Sequence, residues 1–195
     1  MKGGELTMND FLPEGTKIPS ASDDYMKLSE PENRFRVLGS AIVGFELWVN
    51  GKPIRNHMKD QFMYEDLSNA DISTYTGKKK LPQYFWAFPV YDYKDQRIKI
   101  LEITQKSIQR DIMNYLNDPD FGDDPTQYDF VIVRTEVDKK VTYSVKGKPP
   151  KPLDEGIKET YEQMHINLDA LYEGGNPFEE KTGEEIALDA VKAGL

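Results

Sequence analysis

Two apolar runs, Tyr84 to Tyr91 and Arg97 to Ile103, are joined by only five residues, Asp92-Tyr93-Lys94-Asp95-Gln96. That pair constrains the fold more than any other feature, because short aromatic and β-branched runs flanking a polar link read as a β-hairpin. The neighbouring sequence extends the pattern. Arg34-Phe35-Arg36-Val37-Leu38 alternates basic and apolar residues, and Ala41 to Val49 is a second apolar stretch that ends at the turn signal Asn50-Gly51. Gly39 and Gly44 mark bends where a strand curls around a barrel corner. Residues 56–80 are irregular and close on Gly77-Lys78-Lys79-Lys80, which predicts a long exposed loop or a small insertion.

After the hairpin the period changes. Ile108, Ile112 and Leu116 fall four apart, with Met113 and Tyr115 widening the stripe, so an amphipathic helix is predicted over 105–117 with Thr104 as its N-cap. Two more strand runs follow, Tyr128 to Thr135 and Val141 to Lys146, before the proline-rich stop at 147–152. Three strand regions, one helix and two strands give a mainly β fold. The order is that of a five-stranded OB-type barrel with its helix between strands 3 and 4.

The net charge of −9 looks wrong for a protein that touches nucleic acid, so its distribution matters more than its total. Residues 1–24 carry a net −3, residues 25–152 a net +2 and residues 153–195 a net −8. This divides the chain into an extended N-terminal arm (1–24), an OB-type core (25–152) and an acidic, partly helical or flexible tail (153–195), in which Glu184 to Lys192 is one helical pattern. A flexible tail of that charge should compete for the basic face of the core and offer an arm to partner proteins. No apolar run reaches the length of a bilayer span, and Met1 to Asp10 lacks the basic and apolar regions of a signal peptide, so a cytoplasmic protein is expected.

Enzyme chemistry finds little support. There is no cysteine, and His57 and His165 are the only histidines, so neither a thiolate nor a histidine-rich metal site is expected, nor any cofactor. No glycine-rich phosphate loop or nucleophile elbow is present. The nearest catalytic fragments, Glu102 with Lys106 and Glu136 with Asp138, read as solvated charges at strand ends.

Binding signals are denser. Trp48, Tyr84, Trp86, Tyr91, Tyr93 and Tyr143 lie in or beside the strands, together with Phe85, Phe88, Tyr128 and Phe130. Alternation puts Tyr84, Trp86 and Phe88 on one face and Phe85, Ala87 and Tyr91 on the other, so part of one aromatic set is expected outside the barrel as a base-stacking platform. Arg34 and Arg36 stand opposite Phe35 and Val37, and Arg97 and Lys99 opposite Ile98 and Ile100. With Arg55, Lys78, Lys79, Lys80 and Arg134 they form an expected stripe for phosphates. An RNA-binding OB domain and a protein-interaction domain using the same rings as anchors remain alternatives.

Several segments carry a resemblance. Asn33 to Leu38, Tyr84 to Val90, Ile98 to Gln109, and Phe121-Gly122-Asp123-Asp124-Pro125 followed by Tyr128-Asp129 resemble a family of bacteriophage single-stranded DNA-binding proteins, in an order spanning roughly residues 8–180. The resemblance implies an OB fold and no catalytic activity. It also implies coating of single-stranded DNA in phage replication and recombination, in the host cytoplasm. Replication or recombination proteins, through the acidic tail, and further copies of the chain are the expected partners. The T-even helix-destabilising proteins carry a structural zinc, and a chain without cysteine does not inherit it.

Overall fold

The computed structural model describes residues 23–179, and its centre is one antiparallel sheet of seven strands. These are β1 (Glu32–Val37), β2 (Ile42–Val49), β3 (Lys52–Asn56), β4 (Gln83–Asp92), β5 (Arg97–Ile103), β6 (Asp129–Val137) and β7 (Lys140–Gly147). The hairpin read from the sequence, β4–β5, is the axis of the sheet. β5 pairs along one edge of β4 from Trp86↔Ile103 to Asp92↔Arg97. The other edge of β4 serves two partners in turn, β2 from Ile42↔Ala87 to Glu46↔Gln83 and β1 from Phe35↔Asp92 to Val37↔Val90. Pro89 sits at the changeover. Its carbonyl accepts from the Leu38 N–H at 3.0 Å, in the gap between β1 and β2, so the N–H that proline lacks leaves no rung of either ladder empty.

β1 continues the sheet into β6, and β6 into β7. The Asn50-Gly51 signal is a turn with both residues at positive φ (51° and 73°), as a two-residue hairpin requires. The β6–β7 turn does the same with Asp138 and Lys139 (49° and 64°), without a glycine to announce it. β3 has no counterpart among the strand runs read from the sequence.

Among the described residues β5 and β7 do not pair, so the sheet is open. Helix α2 (Lys106–Leu116) fills the gap, one residue shorter at each end than the predicted span. Its cap is Gln105 rather than Thr104, and no side chain caps it. Ile108 and Ile112 join Leu101, Ile103, Val145, Phe35, Phe88 and Phe130 in the main core, and Asp111 Oδ2 accepts from the edge N–H of Val145 at 3.2 Å. The outer edge of β5 is covered by the chain before β1: Ile100 donates to Asp24 O (2.8 Å) and accepts from Met26 N (2.9 Å). No helix among the described residues is long and apolar enough to cross a membrane.

The acidic C-terminal segment is only in part the tail expected. Helix α3 (Glu155–Gln163) is preceded by Asp154, whose side chain accepts from Gly156 N. It packs against the β1–β2 bend, where a Cβ on Gly39 would lie 2.1 Å from the Tyr161 hydroxyl. Beyond it, Leu171 is buried on Phe85, Ala87 and Ile100, flanked by Ile166, Leu168, Tyr172 and Phe178. Tyr172 donates to Val43 O at 2.7 Å. Each such buried side chain contributes about 1.5–3 kcal/mol, so residues 166–178 belong to the folded body and 152 does not end it. Their acids hid the apolar residues between them. The N-terminal arm up to residue 22 and the Glu184–Lys192 helical pattern lie outside the described residues.

Candidate nucleic-acid interface

The phosphate stripe expected along the strands is mostly internal. Arg36 does stand opposite Phe35 and Val37, but that side is not solvent and Arg36 is fully buried. Its Nε donates to Asp129 Oδ1 at 2.6 Å, and its Nη1 donates to the carbonyls of Thr126 (3.0 Å) and Lys151 (3.1 Å). Arg34, half-exposed, donates to Asp129 Oδ2 from Nε (3.0 Å) and Nη2 (2.5 Å) and lays its guanidinium 4.2 Å over the Tyr93 ring. Tyr93 donates its hydroxyl to Asp129 Oδ1 at 2.9 Å, and Tyr91 stands edge-on to it at 5.1 Å. Asp129 is buried, yet these donors hold its carboxyl below the usual range, while burial and the Asp129 bond push the Tyr93 phenol up.

The other cations divide in the same way. Lys99, expected outside, is buried against Asp92 (3.0 Å) and also pairs with Asp95. Arg97 pairs with Asp24 at 3.3 Å and Arg134 with Glu136 at 2.5 Å, both near the surface. Arg55, expected to meet phosphate, is buried between Glu102 (2.6 Å) and Glu46 (3.0 Å). Glu102 is thus no solvated strand-end charge. Burial, reinforced by the neighbouring Glu46, pushes its carboxyl up to about 8 against the pull of Arg55.

The aromatic platform is sorted too. Phe85, Phe88, Tyr128 and Phe130 are core, and Trp86 and Tyr143 are half-buried against it. Both faces of β4 find cover, because the C-terminal segment lies over the second. The exposed rings fall elsewhere. Of the thirteen large apolar side chains exposed among the described residues, ten lie between Val43 and Tyr84. They include all four exposed aromatics: Trp48 (37% exposed), Tyr64 (86%), Tyr75 (84%) and Tyr84 (40%).

Val43 and Trp48 stand on β2 and Tyr84 on β4, while the other seven of the ten, from Met58 to Leu81, lie on the connection from β3 to β4, which carries the short helix α1 (Tyr64–Ser68). Phe62 and Ala70 anchor it in a small separate core with Leu47, and Asp71 N donates to Trp48 O at 2.8 Å. With those anchors set, the intervening side chains face outward. Lys78 is exposed, Lys79 donates to the Ser68 carbonyl, and the Lys80 ammonium lies 5.1 Å from the Trp48 ring. No family model, curated protein or solved structure matches this chain.

Exposed rings beside lysines on one anchored excursion can stack unpaired bases and neutralise phosphates together. Tyr64 and Tyr75 were missed from sequence because they lie outside any strand run. The available signal was two tyrosines in a long lysine-bearing connection. Among the described residues, no group of three or more His, Asp or Glu is placed to hold a metal ion.

Proposed function

We propose that the protein binds single-stranded DNA without sequence preference, as a coating protein of phage replication or recombination, and is not an enzyme. The observation that carries this reading is the excursion between β3 and β4, where the exposed rings of Tyr64 and Tyr75 share one anchored segment with Lys78, Lys79 and Lys80, while Trp48 on β2 and Tyr84 on β4 flank it. The strand order supports an OB-type origin: with β1 and β2 taken as one bent first strand, the path β5-β4-β1-β6-β7 matches an OB barrel whose closing seam α2 occupies. The excursion then corresponds to the loop between strands 1 and 2, which OB folds use for oligonucleotides. The outer face of β4 and β5 is covered by residues 166–178, so the interface is the rim and the loop, with Arg34 and Tyr93 as a second contact.

A double Tyr64→Ala, Tyr75→Ala variant should weaken binding to oligo-dT by roughly 30- to 20,000-fold, since a stacked base contributes about 1–3 kcal/mol per ring and two rings are removed. Its melting temperature should stay close to that of the parent, because neither ring is packed. Replacing Lys78, Lys79 and Lys80 by alanine should flatten the salt dependence by about 2 in log–log slope. Unchanged affinity in both variants would remove the excursion from the interface. The aliphatic members of the patch, Met58, Met63, Leu67, Ile72 and Leu81, favour one competing reading, a docking surface for a protein partner or another copy of the chain. Salt-insensitive capture of a protein partner by the patch would support that alternative. Residues 180–195 remain the candidate arm for replication partners.

A further inference from the structure

Trp48 has a second side. Away from the excursion it walls a cleft of about 610 Å³, lined also by Tyr25, Lys52, Arg55, Glu102 and Gly174. The ring is held in place, since its Nε1 donates to Glu46 Oε1 at 2.7 Å. Beneath it lies the Glu46–Arg55–Glu102 cluster, whose hydrogen bonding is incomplete: Arg55 Nε has no hydrogen-bond partner among the described residues, and Glu46 Oε2 has only its ion pair with Arg55 Nη2 at 3.0 Å. Both side chains are more than nine-tenths buried, and buried polar atoms in native proteins seldom stay unpaired. Lys52, exposed and part of the lining, supplies a cation.

The chemistry of this lining selects a ligand class. A cation would meet Arg55 and Lys52, and a small anion buried in the cleft would meet Glu46. A flat neutral heterocycle can lie on Trp48 and turn a donor–acceptor edge towards Arg55 and Glu102, and a phosphate attached to it stays outside beside Lys52. We propose that the cleft is a nucleotide subsite, which takes one base of the bound strand out of the stack against Trp48. This rests on the single-stranded DNA reading above and names a pocket within it. Burial pushes the Glu102 carboxyl up to about 8; the groups facing it are Glu46 on β2, Arg55 on β3 and Tyr25 before β1.

The full chain carrying Trp86→Phe leaves Trp48 as the only tryptophan, and its fluorescence is titrated with dTMP, dGMP, dAMP, dCMP and inorganic phosphate. At least one mononucleotide should quench it saturably, with a Kd on the order of 1 mM or tighter, and inorganic phosphate should not. Binding should weaken as the pH is raised from 7 to 9.5, when Glu102 ionises, and Glu102→Gln should abolish that dependence. Lys52→Ala should weaken each mononucleotide several-fold. If no mononucleotide binds, or if phosphate alone reproduces the quenching, the subsite is refuted. Oligo-dT titrated in parallel separates the two readings: tight oligo-dT binding without mononucleotide binding removes the cleft and leaves the strand reading standing. Mononucleotide binding with no gain for oligo-dT removes the strand reading and leaves a site for free nucleotides.

Discussion

Replacing Asp129 by asparagine should cost the fold about 3–5 kcal/mol in a urea titration, because it strands the fully buried Arg36 guanidinium without its counter-charge. Asp129 is the common acceptor for Arg36, Arg34 and Tyr93, and the Lys151 ammonium stands 3.5 Å away. Its removal leaves three cations around a neutral amide. Replacing Arg36 by methionine in the same protein should recover part of the loss, since the desolvated charge goes with it. The effect also has a pH signature. The carboxyl is held below its unfolded value of about 3.9, so the stability it supplies is present above that pH and lost as pH falls through the folded value. Parent and variant should therefore converge in acid. A loss under 1 kcal/mol at pH 7 would mean that the pair is not buried as described.

Glu102 should behave in the opposite sense. Its folded value of about 8 lies far above the ordinary glutamate value near 4.5, so between those limits the folded state holds a proton that the unfolded chain releases. Stability is then full below about 4.5, declines as pH rises through that window and levels off above about 8. The accumulated loss is on the order of 3–5 kcal/mol. Glu102→Gln keeps the shape and removes the titration, so its thermal midpoint should rise above that of the parent by an amount that grows from pH 5 to pH 9. Parallel curves for the two proteins would show that Glu102 is ionised in the folded state and that Arg55 neutralises it.

What the sequence disclosed was local. The β4–β5 hairpin, the Asn50-Gly51 turn and α2 are written in runs of a few residues, where period and turn chemistry act within the segment itself. The ion pairs are different in kind. Arg36 meets a carboxylate 93 residues away, so nothing near it marks it as internal, whereas Arg55 meets Glu102 47 residues away and also Glu46, its cross-strand neighbour in the β2–β3 hairpin. Lys99 was open to a better reading, because Asp92 lies seven residues before it across the same hairpin and on the same face. The covered face of β4 was hidden for a further reason. Ile166, Leu168, Leu171 and Tyr172 are interspersed with acids, and charge counted over the whole segment concealed an apolar period short enough to cap a sheet. Tyr64 and Tyr75 lie outside every strand run, so strand alternation says nothing about them.

The central claim, that the exposed rings and lysines of this protein take unpaired nucleic acid, is tested most directly by fluorescence titration of the full chain with oligo-dT, oligo-rU and duplex DNA of equal length at 50 and 200 mM salt. Oligo-dT should bind well above the duplex, and its affinity should fall as salt rises, with a slope set by the phosphates neutralised. Equal affinity for duplex and single strand, or binding indifferent to salt, would contradict it.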